Sequence, residues 1–284
     1  MAYKTVAALI TDQTSGADVV QAAHAVARRQ DAHLEIYCIG IDPTRYDMLP
    51  MTGSALMLEK SAEMARDQAQ ALADWAQSAL PADLPATAQR VTIQPAISLQ
   101  GGLEATVARL ARYSDLIVMA QPYGADRDPL HVTAIEAAIF ATGAPVLVVP
   151  HAAHDWSVPF GRVMVAWDES DVSLEAVRDA LPFLAAARHV DVVMVDPPQQ
   201  SPERADPGGA ITLMLARHGI RAEVAILART MPAISDVLAR YAAEHGVDAI
   251  VMGAYGHSRL REAIMGGPTR DMLEKAKLPL IMSH

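Results

Sequence analysis

The chain repeats itself, and an internal repeat settles the architecture before any single element is considered. Near the start, "KTVAALITDQTSGADVVQAAHAVARRQDAHLEIYCIGIDP" runs through an apolar stretch, an aspartate, a small-residue turn, an Ala-rich helical pattern and a second apolar stretch ending in Asp-Pro. From Arg162 the same order returns in "RVMVAWDESDVSLEAVRDALPFLAAARHVDVVMVDPP", so that Asp12 and Asp168 are counterparts, as are Asp42-Pro43 and Asp196-Pro197. The later parts correspond too: "LARYSDLIVMAQPYG" matches "YAAEHGVDAIVMGAYG", and "GAPVLVVPH" matches "KLPLIMSH". Each half is then a domain-sized unit of about 130 to 150 residues. The boundary falls in "PHAAHDWSVPFG", where Pro, Gly and polar residues replace apolar periodicity, which predicts domains at 1–152 and 153–284.

The second half reads as a strand at 162–167, a helix at about 171–187, a strand at 189–195, a helix at 208–218 and a strand at 221–228. A helix at 232–245 follows, with Pro232 suited to a first helical position and Gly246 to the left-handed residue beyond the last turn. Strands at 248–252 and 278–283 flank a glycine-bearing stretch and a short helix. Nearly unbroken apolar strands such as "VDVVMV" are buried on both faces, and their alternation with helices predicts an α/β fold of two tandem, doubly wound parallel sheets. Such sheets take ligands beyond the carboxyl ends of their strands, where strand order switches.

Both halves end on an apolar strand, "PVLVVP" and "PLIMSH", that would be an exposed edge in an isolated unit. Pairing them about an internal pseudo-two-fold makes an intrachain pseudo-dimer, and a homodimer of tandem chains stays open. In the first half the long helical stretch "SALMLEKSAEMARDQAQALADWAQSAL" places Leu56, Met57, Met64, Leu72 and Trp75 at helical spacing, which predicts core packing, with a partner-binding face as the lesser alternative.

Several function classes are disfavoured. The net charge of −10 and pI near 5.4, without a basic cluster, speak against nucleic acid. The single cysteine, Cys38 in "LEIYCIG", rules out an intrachain disulfide and is expected as a core thiol in a reducing compartment. No secretory signal and no run of roughly 20 apolar residues is seen, which predicts a cytoplasmic protein without membrane partners. No G-x-S-x-G, H-E-x-x-H or paired-cysteine pattern occurs, and His151 and His154 lack a carboxylate or cysteine companion, so no metal site is expected. Nothing resembles a general base poised by a second group, so catalysis is not expected beyond slow hydrolysis of a bound nucleotide.

One stretch carries a specific pattern. In "VMGAYGHSRLREAIMGGPTRDML" a strand leads into Gly253, Gly256, Gly266 and Gly267 and then a helix bearing Thr269. Glycines there serve turn geometry, or they expose backbone N–H groups to an anion at a helix N-terminus. Asp168, at the end of the half's first strand, serves as a cap or Asx-turn, or accepts hydrogen bonds from a ribose. His257 and Arg259 are either loop residues or phosphate contacts, and Tyr255 is expected to pack over the loop.

The strand followed by Gly253-x2-Gly256-x9-Gly266, together with "VAWDES", resembles the universal stress protein family in its tandem two-domain form. That resemblance implies a five-stranded, Rossmann-like sheet of the adenine nucleotide alpha hydrolase type in each half. It implies ATP, with or without Mg2+, at the strand ends of the second half. Asp168 would then hold the ribose, Ala166 and Val195 would flank the adenine, Met252 and Gly253 would line the base and ribose side, and Gly256, Gly266, Gly267 and Thr269 would hold the phosphates. The family's Ser or Thr after the third glycine is Gly267 here, which removes a hydroxyl contact. The first half departs further, with Ala120 for the first glycine, an extra residue before Gly124 and Val132 opposite Gly266, so it is expected to bind nucleotide weakly or not at all, with Asp12 as a cap and Gly101-Gly102 as a turn. The functional expectation is a stress-response module read by an unidentified protein partner. The alternative is an interaction protein with vestigial sites, followed by a slow ATP hydrolase.

Overall fold

A computed structural model describes residues 2–44, 55–80, 90–124, 127–197, 205–254 and 267–284. They form two compact units, Ala2–Ala144 and Pro145–His284. The first alternates β1 (Thr5–Ile10), α1 (Gln13–Gln30), β2 (His33–Asp42), α2 (Ala55–Ala79), β3 (Val91–Leu99), α3 (Leu103–Ala111), β4 (Leu116–Ala120) and α4 (Pro129–Ala141). Its strands run parallel in the order β3-β2-β1-β4. Val6, Ala7 and Ala8 of β1 and Leu116, Ile117 and Val118 of β4 are wholly buried, as a sheet covered on both faces requires. Pro95, which cannot donate to a ladder, sits in edge strand β3. Gln100–Gly102 form one 3₁₀ turn before α3 begins at Leu103, the turn expected at the glycine pair.

The second unit comprises β5 (Val146–Val149), β6 (Arg162–Ala166), α5 (Asp171–Asp179), α6 (Leu181–Ala186), β7 (His189–Val195), α7 (Gly209–Arg217), β8 (Ala222–Leu227), α8 (Ile234–His245), β9 (Ala249–Gly253), α9 (Pro268–Lys275) and β10 (Leu280–Ser283). Its order is β5-β10-β9-β6-β7-β8, parallel except for β5. Leu280, Ile281 and Met282 of β10 pair antiparallel with Val148, Leu147 and Val146, so the two apolar terminal strands cover each other's edges. The Pro/Gly-containing stretch after β5 is no free tether. Trp156 and Phe160 are buried, and Phe160 meets Phe183 of α6 at 5.6 Å between ring centroids.

Three details differ from the sequence reading. The helix expected over 171–187 breaks into α5 and α6, because Pro182 has no N–H for a continuous ladder. Pro232 precedes α8 rather than opening it, although Gly246 ends the helix in the left-handed conformation expected of it (φ 64°). Leu56, Met57 and Met64 do not join the core: they are 72%, 75% and 64% exposed. The face of α2 that packs is made of Ala65, Ala69, Leu72, Ala73 and Ala76. Small residues are needed there because α2 crosses β2 at Gly40, where an added Cβ would lie 1.9 Å from the Ala65 carbonyl oxygen.

Candidate functional site

In each unit strand order reverses between two neighbouring strands, β1 and β4 in one and β6 and β9 in the other, and sheets of this kind take ligands at the carboxyl edge of that switch. In the second unit Ala166 of β6 pairs with Met252 of β9 on one side and Val193 of β7 on the other. Five of the expected residues, Ala166, Asp168, Val195, Met252 and Gly253, therefore gather at the ends of three adjacent strands. Gly267 is the N-cap of α9 and Thr269 lies in its first turn. Gly256 and Gly266, with Tyr255, His257 and Arg259, lie outside the described residues.

Asp168 is exposed, and its Oδ1 accepts hydrogen bonds from the Ser170 backbone N–H (3.1 Å) and hydroxyl (2.6 Å). This is an Asx-turn. The N-cap of α5 is Ser170 itself, whose hydroxyl accepts from the Ser173 N–H. Between Asp168 and its cap, Glu169 is held at φ 64°, and Asp196, just beyond β7, at φ 45°. Neither is glycine, and strained residues of this kind concentrate at sites where surrounding structure fixes a functional geometry. Both stand at the carboxyl edge of the second unit, whereas the first unit's left-handed non-glycine, Asp31, ends α1 at the opposite edge. Sequence reasoning missed Glu169 and the position of Asp196; the repeated Asp-Pro pair was the available signal. Trp167, between Ala166 and Asp168, buries an indole N–H with no partner among the described residues.

The glycines divide by role. An added Cβ on Gly253 would sit 2.9 Å from the Ser173 backbone nitrogen, so this glycine lets α5 press on β9. Gly267 has φ 131°, a conformation that L side chains rarely adopt, and among the described residues a Cβ there would meet nothing within 4 Å. Its departure from Ser or Thr thus has a conformational reason, and α9 starts there with no side-chain cap. Pro268 supplies no N–H, so the backbone donors at this terminus come from the residues around it.

The matching edge of the first unit is filled by its own side chains. Asp12 caps α1, accepting from the Ser15 N–H (2.8 Å) and hydroxyl (2.7 Å). It also lies 3.1 Å from His131 Nε2 and 3.4 Å from the buried Arg127 guanidinium. His131 is the third residue of α4; its Nδ1 lies 3.2 Å from the Asp128 backbone nitrogen and 3.1 Å from Asp128 Oδ1, accepting from the N–H in a capping box when the ring is neutral and donating to the carboxylate when it is protonated. Burial acts to raise the Asp12 carboxyl, but the His131 and Ser15 hydrogen bonds and the Arg127 charge outweigh it and hold it below the carboxylate range. His131 is raised, first by its hydrogen bond to Asp12, with burial and Arg127 opposing and the Asp128 and Asp12 charges assisting. At the end of β2, buried Asp42 accepts from the Ser61 hydroxyl of α2 (2.6 Å) and the Thr44 N–H (2.9 Å). Buried Cys38, also on β2, has its thiol pushed up to about 12 by burial and is inert.

Among the described residues no cluster could hold a metal ion, and no helix is long and apolar enough to cross a membrane. His154 packs on Trp156 (4.5 Å between ring centroids).

Residues 159–284 match the model of the universal stress protein family. A universal stress protein of Synechocystis sp. is 27% identical over 125 residues, which span 42% of this chain and 41% of that protein, so the chain aligns with less than half the length of this curated relative. A universal stress protein structure from Archaeoglobus fulgidus is similar over 98% of this chain and 95% of its own, at 13% identity and a TM-score of 0.66. A Pseudomonas aeruginosa structure assigned to the same family is similar over 99% and 93%, at 19% identity and a TM-score of 0.61. At these identities the structures establish the shared fold.

Proposed function

From the match of residues 159–284 to the universal stress protein family, we propose that the chain is a cytoplasmic stress-response module of that family whose second half binds one adenine nucleotide, ATP with or without Mg2+. The observation that carries this reading is the contrast at the two carboxyl edges. In the first unit Asp12 is engaged by His131, Arg127 and Ser15, whereas in the second Asp168 stands exposed beside a left-handed Glu169, and α9 starts at Gly267 with no side-chain cap. The adenine would lie between Ala166, Val195 and Met252, the ribose on Asp168, and the phosphates against Gly267 and Thr269, where helix N–H groups and the helix dipole favour an anion. The first half would bind nucleotide weakly or not at all, and the nucleotide state would be read by a protein partner.

One observation favours the competing reading of an interaction protein with vestigial sites: Gly253 is required for packing against α5 whether or not a nucleotide binds. Calorimetric titration of the nucleotide-stripped protein with Mg-ATP separates the two. One saturable site per chain, lost in Asp168→Ala and kept in Asp12→Ala, supports the nucleotide reading; absence of heat and of any thermal shift supports the other. Quenching of tryptophan fluorescence on titration, absent in Trp167→Phe, would place the ligand beside β6.

A further inference from the structure

The last two helices of each unit close differently. In the first unit α3 and α4 pack directly on each other, α3 burying Leu103, Val107 and Ala111 and α4 burying Ile135 and Ile139. In the second unit α8 and α9 leave a groove of about 580 Å³ between them. Two features of the sequence open it. The groove side of α8 carries Ala239, Ala243 and Gly246, spaced so that they stack along one face, and α9 has eight residues where α4 has thirteen. Val247, Ile250 and Met272 also line it. A shared topology that closes in one half and stays open in the other shows that the groove is not imposed by the fold. Its volume lies within the range of about 300–1,000 Å³ found for small-molecule sites.

Charge selects the kind of ligand. Arg240, Lys275 and Lys277 line the groove with Asp236 and Asp271, and Arg240 is paired with Glu244 at 3.8 Å. Asp271 is already engaged, accepting from the Ser235 hydroxyl at 3.1 Å and from Lys275 at 3.2 Å. Lys277 is exposed and makes no ion pair among the described residues. It lies between α9 and the start of β10, at the amino edge of the sheet and therefore at the opposite edge from Asp168 and Gly267. From Ser235 to Gly246 the groove follows α8 for about 17 Å at the helical rise per residue.

We propose that the α8–α9 groove binds an amphipathic small carboxylate, its apolar body along Ala239, Ala243 and Met272 and its anionic head at Lys277. The site is separate from the nucleotide site and does not depend on it.

Decanoate is a suitable probe, titrated into the full-length protein by calorimetry and followed by methyl NMR of alanine and methionine. The expected result is saturable binding of one decanoate per chain, with shifts at Ala243 and Met272. Ala243→Leu, a substitution at an exposed position that fills the groove, abolishes it. Lys277→Gln weakens it about two- to fivefold, the range of an exposed ion pair, and decanol binds more weakly than decanoate by a similar factor. Lack of saturation, unchanged binding by a folded Ala243→Leu protein, or stoichiometric displacement of decanoate by ATP would each overturn the proposal.

Discussion

Two pairs of aspartates occupy equivalent places in the repeat, and the two halves use them in opposite ways. In the first half Asp12 and Asp42 are drawn inward, one by Ser15, His131 and Arg127 and the other by Ser61 and Thr44. In the second, Asp168 and Asp196 are exposed, and among the described residues their carboxylates accept from Ser170 and from the Arg229 backbone N–H respectively, with left-handed non-glycine residues at or beside them. A polar group that faces a ligand site must keep part of its hydrogen-bonding capacity for the ligand, whereas one enlisted in packing is satisfied by its own chain. The same residue type at the same topological position is thus a structural tie between helices in one unit and an exposed turn residue in the other.

The largest effect is expected where packing is tightest. Gly40→Ala places a methyl group 1.9 Å from a helix backbone oxygen and forces α2 off β2, for a loss of about 3 kcal/mol or more, read as a lowered urea midpoint. Gly253→Ala meets the α5 backbone at 2.9 Å and should cost about 1–3 kcal/mol. If Gly253→Ala were neutral, its glycine would be explained by a ligand instead of by packing.

Next in size is the tie at Asp12. His131→Ala removes the link between the starts of α1 and α4 and should cost about 1–2 kcal/mol. The cost depends on pH in a defined direction. His131 is raised in the folded protein, so its charge-linked contribution is complete below the unfolded value near 6.5 and is lost as pH rises through the higher folded value. Asp12 is lowered, so its contribution is present above the ordinary carboxylate value and is lost only in strong acid. The stability gap between wild type and His131→Ala should therefore be widest at about pH 5–6 and narrow towards pH 9. A gap that widens with alkalinity would mean that His131 acts as a neutral packing group. Asp168→Ala breaks the comparison from the other side: it should change stability by no more than about 0.5 kcal/mol while removing nucleotide binding.

The repeat, the parallel sheets and the pairing of the terminal strands were legible because they follow from patterns repeated over many residues: unbroken apolar strands, Pro and Gly at helix ends, and two apolar edges needing cover. Asp12 as a cap was legible from the first half's departures at Ala120, Gly124 and Val132, which left its aspartate without a ribose to hold. The tie from His131 and Arg127 to Asp12 was not, because it joins residues more than a hundred positions apart and no local pattern announces it. Helical spacing put Leu56, Met57 and Met64 on a packing face, but periodicity does not say where along a 25-residue helix the supporting sheet stops. Gly267 looked like a lost hydroxyl because a motif records residue types and not φ; at 131° the glycine is the conformational requirement.

The one substitution expected to leave stability unchanged or raise it bears most directly on the contrast between the halves. Glu169 at φ 64° carries a left-handed backbone that costs an ordinary residue about 1–2 kcal/mol, an expense glycine avoids while losing more entropy on folding. Glu169→Gly should therefore raise stability slightly or leave it unchanged, by up to about 1 kcal/mol, in a thermal melt. If the turn exists to hold Asp168 towards a ligand, the added freedom should weaken Mg-ATP binding in the same protein, so that stability and affinity move in opposite directions. A variant that gains stability and binds nucleotide unchanged would show that the turn serves α5 and its Ser170 cap, and the exposed Asp168 would lose its claim to a functional geometry.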